Sequence, residues 1–347
     1  MESDLTYDVP AQAEHPMGPA ARRGTLKAGE HVQITDPKGR LHTVVLTENE
    51  VFRCSRGELA HNDIIGQPPA TVMGDGAHRF LVLRPLLDDY TMYMPRGAAI
   101  VYPKDAAHVV QFADIFPGAK VLEAGVGSGA LSMSLLNAVG TTGAVHSIEK
   151  REDFAVIAQG NVDLWFGGRH PAWTVTIGDF QQVALAEPGG SIDRIVLDML
   201  TPWACLDAAV HALADGGVLC VYVTTVTQLS RLVEDLNRHG SFTPPKVWEN
   251  LSRGWHVDGL SVRPEHRMVG HTGFLLTTRK LATGKLNPPN PKRPSPAMEG
   301  RAGQWNAAQN WEEYPQIQEE RAPKRVRRQA RELSRRSRRV LPHEEGE

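Results

Sequence analysis

The sequence predicts an α/β fold, a mostly parallel sheet with crossover helices, preceded by a small β-rich domain. Three observations carry that expectation. From about Ala106 onward, short apolar runs alternate with stretches of helical periodicity, the pattern of a parallel sheet. Residues 25–94 show short strand-like runs broken by turn residues instead. The run at 120–122 ends in Glu123-Ala124-Gly125-Val126-Gly127-Ser128-Gly129, which opens into a helix.

Taken in order, residues 1–24 are polar, contain prolines and read as a disordered N-terminus. In the β-rich domain, 25–94, His31-Val32-Gln33-Ile34-Thr35 reads as a strand and Asp36-Pro37-Lys38-Gly39 as a turn. His42-Thr43-Val44-Val45-Leu46 is the return strand, and Phe80-Leu81-Val82-Leu83-Arg84 a further one. The larger domain covers 95–283. Its strands are expected at 120–122, 144–149, 173–177, 192–197 and 218–224, with closing strands around 246–251 and 273–278. Helices are expected at 130–139, 151–165, 203–213 and 227–239, with Asp215-Gly216-Gly217 as the stop of the third. Residues 284–347 read as a Pro-rich linker and a basic, disordered tail, in which 325–339 could turn helical.

The formal net charge of −2 conceals an uneven distribution. Residues 321–340 hold ten Arg and Lys against one acid, Glu332, so this segment carries +9 and the remainder −11. A basic tail on an acidic body fits either a polyanionic partner or a merely solvated end. Cys54, Cys205 and Cys220 are distant from one another and form no CxxC pair, which suggests neither a zinc site nor a disulfide framework. No apolar run approaches the length of a membrane span, and the first residues lack the apolar centre of a signal peptide. A reducing cytoplasm fits these features.

A glycine-rich turn from strand to helix lets the backbone approach a ligand and offers free N–H groups at the helix start. Dinucleotides and S-adenosylmethionine both use such loops; a tight turn without a ligand would look the same. The spacing here, Gly125, Gly127 and Gly129, is G-x-G-x-G, whereas the dinucleotide fingerprint is G-x-G-x-x-G. Glu123 would oppose a pyrophosphate but suits the cationic methionine end of S-adenosylmethionine. Glu149, 20 residues past Gly129, ends the second strand, where a carboxylate accepts the ribose hydroxyls of an adenosine. Beside Lys150 and Arg151 it equally reads as a solvated strand-end acid. Asp179 ends the third strand, placed to take the adenine amino group, and Asp198 ends the fourth, at the edge of the crevice.

Several blocks resemble the tRNA (adenine-58-N1)-methyltransferases. They are Tyr102-Pro103-Lys104-Asp105-Ala106, the stretch from Val121 through Leu131, and Leu197-Asp198-Met199-Leu200-Thr201-Pro202-Trp203. Segments at Val221 to Ser230, Arg253-Gly254-Trp255, Val262-Arg263-Pro264 and Gly270 to Leu275 look like the actinobacterial branch of that family. The likeness covers roughly residues 25–283. It implies a class I, Rossmann-like methyltransferase sheet with a small N-terminal β domain, a homotetramer, S-adenosyl-L-methionine as cofactor and tRNA as partner. Carried over by motif, Ser128-Gly129-Ala130-Leu131 would hold the methionine end, Glu149 the ribose, Asp179 the adenine edge, and Phe154 would lie against the adenine. Asp198 would stand where cofactor and target base meet. The segment 184–191 is longer than the family pattern, and the tail after about Leu286 has no counterpart in it.

Adenine N1 has a lone pair, so its methylation requires alignment and charge accommodation rather than proton abstraction. Asp198 is the expected key residue, accepting from the exocyclic amino group of the base. Tyr102 is expected to wall the base pocket, although a strand-end tyrosine packed on the sheet would read alike. Arg253, Arg263, Arg267 and Lys104 are candidate phosphate contacts. His256, His266 and His271 have spacings that match no standard metal site, so no metal is expected. Other readings are a methyltransferase for another substrate, a non-catalytic RNA-binding subunit and an NAD-dependent oxidoreductase. Glycine spacing and Glu123 disfavour the last.

Overall fold

The computed structural model describes residues 17–285 and 324–340. The N-terminal domain is a four-stranded sheet of order β2-β1-β6-β5, formed by β1 (His31–Thr35), β2 (Leu41–Val45), β5 (Thr71–Met73) and β6 (Phe80–Leu83). Between these strands lie the hairpin β3 (Val51–Cys54) and β4 (Gly57–Ala60) and the short α1 (His61–Ile64). Val32, Ile34, Phe52, Phe80 and Val82 close its core. Helix α2 (Leu87–Tyr93) leads to the larger domain.

That domain opens with α3 (Pro103–Phe112), whose proline at the first helical position needs no N–H partner. Alternation then proceeds through β7 (Lys120–Ala124), α4 (Ala130–Val139), β8 (Ala144–Glu149), α5 (Glu152–Phe166), β9 (Trp173–Ile177), α6 (Phe180–Ala186), β10 (Ile192–Asp198), α7 (Leu206–Ala212), β11 (Leu213–Val223) and α8 (Val226–His239). Strands β12 (Lys246–Glu249) and β15 (Phe274–Arg279) complete a seven-stranded sheet of order β12-β15-β11-β10-β7-β8-β9. Strands β7 to β11 run parallel; β15 is antiparallel to β11 and to β12. A separate hairpin, β13 (Trp255–Asp258) and β14 (Ser261–Pro264), lies between β12 and β15. The sheet reverses direction of growth between β7 and β10, and a ligand crevice forms at the carboxyl ends of strands at such a switch point.

Several sequence expectations change. Residues 17–24 are packed rather than disordered. Gly18 is buried, and the Arg22 guanidinium lies 3.9 Å from the centre of the Trp165 ring. Asp215-Gly216-Gly217 does not terminate a helix, since α7 ends at Ala212 and the glycines pass through an irregular stretch of β11. Of residues 184–191, the first three end α6 and the rest form a turn fastened to α7, with Gly190 N donating to His211 O at 2.9 Å.

The disorder expected of 284–347 does not hold for α9 (Lys324–Val340), a helix docked along α5. Val326, Ala330 and Leu333 are buried against Phe154 and Ile157. Gly160, in the middle of α5, explains how the backbones meet. A Cβ at this position would lie 2.7 Å from the Leu333 Cβ. Glycine inside a helix is about 1 kcal/mol less favourable than alanine, and here it admits the neighbouring helix. The remaining predicted tail and the first sixteen residues lie outside the described residues. Among the described residues, no helix is long and apolar enough to cross a membrane.

Candidate active site

The glycine loop leaves β7 at the switch point. Gly125, Gly127 and Gly129 all have positive φ, at 85°, 56° and 83°. Gly125 passes so close to β10 that a Cβ would overlap the Asp198 carbonyl oxygen. Gly129 begins α4, and no side chain caps that helix, which leaves the N–H groups around Ala130 and Leu131 at the crevice end.

Three carboxylates surround this loop. Glu149 ends β8, and its Oε2 accepts from Gly127 N at 3.1 Å while Oε1 accepts from Arg151 N and Nε, each at 3.1 Å. Glu123 is buried beneath the loop. Its Oε2 accepts from Ser132 at 2.7 Å and Ser147 at 2.5 Å, while Oε1 has no partner. Burial, and less strongly the charges of Asp198 and Glu149, push its pKa up to about 7, against the pull of the two serines. Asp198 ends β10, half-buried, and no donor among the described residues serves its carboxylate. Burial and then Glu149 push it up to about 7 as well. Clustered acids, one with an orphaned buried oxygen, are costly without a counter-charge. A ligand carrying an ammonium and a sulfonium would supply one, so the residues present fit S-adenosylmethionine.

Other expected cofactor contacts have different duties. The Ser128 hydroxyl accepts from Gly97 N at 3.1 Å and Ala98 N at 3.4 Å, and Asn161 Nδ2 donates to its carbonyl at 2.9 Å. Its side chain therefore straps the loop to residues 97–98. Phe154 is no open adenine wall. Arg151 stands 3.7 Å over its ring, Gly97 abuts its edge, and α9 encloses it. An aromatic one turn into a helix reads alike in sequence whether it meets a ligand or a later helix. Asp179 caps α6 through Gln181 N at 2.8 Å and pairs with Lys150 at 2.7 Å, which holds its pKa below the usual carboxylate range. It still borders the crevice at the end of β9.

Tyr102 precedes α3 and lines a cleft with Met92, Gly254, Arg267 and Met268. Lys104 is not a phosphate contact. Its Nζ donates to both Asp105 oxygens at 3.0 Å, to Asn250 O at 2.8 Å and to Thr272 at 2.6 Å. Asp105, fully buried, also accepts from Thr272 at 2.6 Å and Asn250 Nδ2 at 3.2 Å. The Tyr-Pro-Lys-Asp block thus pins the start of α3 to the two loops flanking the β13–β14 hairpin, which aims Tyr102. Tyr222 was not singled out from the sequence. It lies directly across from Asp198 in the β10–β11 register and hydrogen-bonds Thr272; burial pushes its phenol pKa upward. A tyrosine near the end of an apolar strand gives no sign that its neighbour will be Asp198.

The three histidines do not converge. His271 bonds Glu249 at 2.6 Å and Thr224 O at 2.9 Å, which raise its pKa; His256 stands opposite Arg263 in the hairpin. Arg263 is exposed on β14 and Arg267 borders the Tyr102 cleft.

Comparison with known proteins agrees with this geometry. Residues 79–259 match the family described as "tRNA methyltransferase complex GCD14 subunit", and residues 24–73 match "TrmI-like N-terminal". The tRNA (adenine(58)-N(1))-methyltransferase TrmI of Thermus thermophilus is 34% identical over 71% of this chain and 95% of its own. The crystal structure of the tRNA (m1A58) methyltransferase TrmI from Aquifex aeolicus superposes with a TM-score of 0.67 at 27% identity, covering 75% of this chain and all of that one. A SAM-dependent O-methyltransferase from Thermotoga maritima superposes with a TM-score of 0.70 at 29% identity, over 75% and 96%. Acid-lined glycine loop, switch-point Asp198 and N-terminal sheet all fall within the matched segments, and the chain belongs to the tRNA (adenine-58-N1)-methyltransferase family.

Proposed function

We propose that the chain transfers a methyl group from S-adenosyl-L-methionine to N1 of adenine 58 in the T-loop of tRNA. The observation that carries this reading is Asp198, whose carboxylate no donor among the described residues serves, set beside the glycine loop and opposite Tyr222 in the β10–β11 register. Bound there, the cofactor supplies a methyl group on a cationic sulfur. Glu149 accepts the ribose hydroxyls, Asp179 borders the adenine, and Glu123 with the Gly129–Leu131 helix start faces the methionine end. Asp198 accepts from the amino group of the target base, which orients N1 and stabilises the positive charge that arrives on the ring. Tyr102 walls the base. The base must first leave its stack, at a cost of a few kcal/mol, and Arg253, Arg263 and Arg267 hold the phosphates that help offset it.

Incubation with labelled cofactor and unmodified tRNA, followed by nucleoside mapping, should give 1-methyladenosine at position 58. Label at another base, on a ribose, or nowhere would overturn the assignment.

The active form is proposed to be a homotetramer, working in the cytoplasm. Its support is the β13–β14 hairpin, on which Trp255, Val257, Leu260 and Val262 are all exposed, Leu260 completely. Contiguous exposed apolar side chains of this kind mark a surface that another chain covers. Leu260→Asp with Val257→Asp should shift the mass in light scattering from tetramer to a smaller species. An unchanged mass would exclude the hairpin as the contact.

A further inference from the structure

We propose that α9 is a second RNA-binding element, an arginine face clamped beside the cofactor crevice to hold tRNA phosphates. The proposal rests on the tRNA reading above and deepens it. The helix has two sides of different chemistry. Val326, Ala330 and Leu333 form one stripe, buried on Phe154 and Ile157. Arg327, Arg328, Arg331 and Arg335 fall together on another side at i, i+1, i+4 and i+8, and all are exposed. Among the described residues no acid pairs with any of these four. The one acid in α9, Glu332, is taken by Arg336 at 2.6 Å.

The helix is held in a defined register rather than tethered. Leu333 sits over Gly160 of α5. Arg336, one turn later, lines a cleft with Tyr90, whose ring packs 5.1 Å from that of Trp165, farther along α5 than Gly160. The two helices therefore run parallel, and the first turns of α9 lie alongside the start of α5, just after Glu149 and Arg151. This is the end of the sheet at which the glycine loop and Asp198 stand. Charge gives the complementary reason. Without residues 321–340 the chain carries −11, a body that repels a polyanion, and α9 sets the exposed Arg327, Arg328, Arg331 and Arg335 along the helix that follows Glu149. Four unpaired guanidiniums on one helical face match the spacing and charge of a phosphate backbone.

The test uses the full chain with Arg327, Arg328, Arg331 and Arg335 all changed to Gln, which keeps helix propensity. Affinity for unmodified tRNA is measured across a salt series, together with steady-state methylation. The expected result is a log K against log salt slope shallower by about one for each arginine that meets a phosphate. KM for tRNA should rise roughly tenfold or more near physiological salt, with kcat at saturating tRNA unchanged. An unaltered slope and KM overturn the proposal, even where the parent chain methylates tRNA normally. A parent chain inactive on tRNA would instead sink the functional reading. A second variant, Leu333→Glu, undocks the helix and leaves its arginines intact. A KM increase like that of the arginine variant supports a positioned clamp, whereas parent-like KM means a loose tether and overturns the docked role.

Discussion

Asp198→Ala is expected to lower kcat roughly 100- to 1,000-fold, the usual consequence of removing one preorganised electrostatic contact to the reacting centre. Cofactor affinity, measured by calorimetry, should change far less, because Glu149, Glu123 and the start of α4 remain. Near-normal turnover would remove Asp198 from the mechanism. The same residue sets a pH dependence. Its pKa is raised to about 7, by burial first and by Glu149 second. Accepting a hydrogen bond requires the carboxylate, which is present above that value and lost below it. The kcat/KM for tRNA at limiting cofactor should therefore fall about tenfold per unit as pH drops below 7, and level off above it. Cationic cofactor favours the carboxylate, so the same limb should move to lower pH when the cofactor is saturating. Asp198→Asn does not titrate, so its part of the limb should vanish and only the part due to Glu123, also raised to about 7, should remain. A parent profile already flat from pH 5 to 8 would contradict the assignment.

Gly125→Ala is expected to have the largest effect on stability. The residue has φ of 85°, which an L side chain adopts with strain, and its Cβ would meet the Asp198 carbonyl, a backbone atom that cannot swing away. Parting β7 from β10 should cost roughly 3 kcal/mol or more, lowering Tm by roughly 6–12 °C. Cofactor binding should be lost with it, because the loop and Asp198 are displaced together. Gly127→Ala separates the two consequences. Its φ of 56° carries a strain of about 1–2 kcal/mol, but the nearest atom to a Cβ there is the Ala98 Cβ at 3.8 Å. That variant should fold with a small drop in Tm and lose cofactor affinity at least about tenfold, through the altered contact to Glu149. Equal melting temperatures for the two variants would mean that Gly125 is not the pinch point between the strands.

The parallel sheet could be read from the sequence because its determinants are local. Apolar runs such as 120–124 and 192–198 alternate with amphipathic helices over a few dozen residues, and the strand-end acids Glu149, Asp179 and Asp198 stand where those runs stop. The short strands β3, β4 and β5 and the β13–β14 hairpin were missed, since three or four residues of mixed polarity leave little periodicity. Helices α3 and α6 begin after Tyr102 and Asp179, residues noticed for chemistry rather than as helix starts.

The glycine loop and the acids around it could thus be located from the sequence by itself, through glycine spacing and strand ends. Only the tertiary structure decided which of those residues face the crevice. Ser128 turns inward because residues 97–98 pass beside it, Phe154 is covered because α9 returns to α5, and Lys104 is spent on Asp105, Asn250 and Thr272. Each of these depends on a partner from 30 to about 180 positions away in the chain. Contacts of that separation impose no period on the sequence, and a side chain's duty follows from the neighbour that folding brings to it.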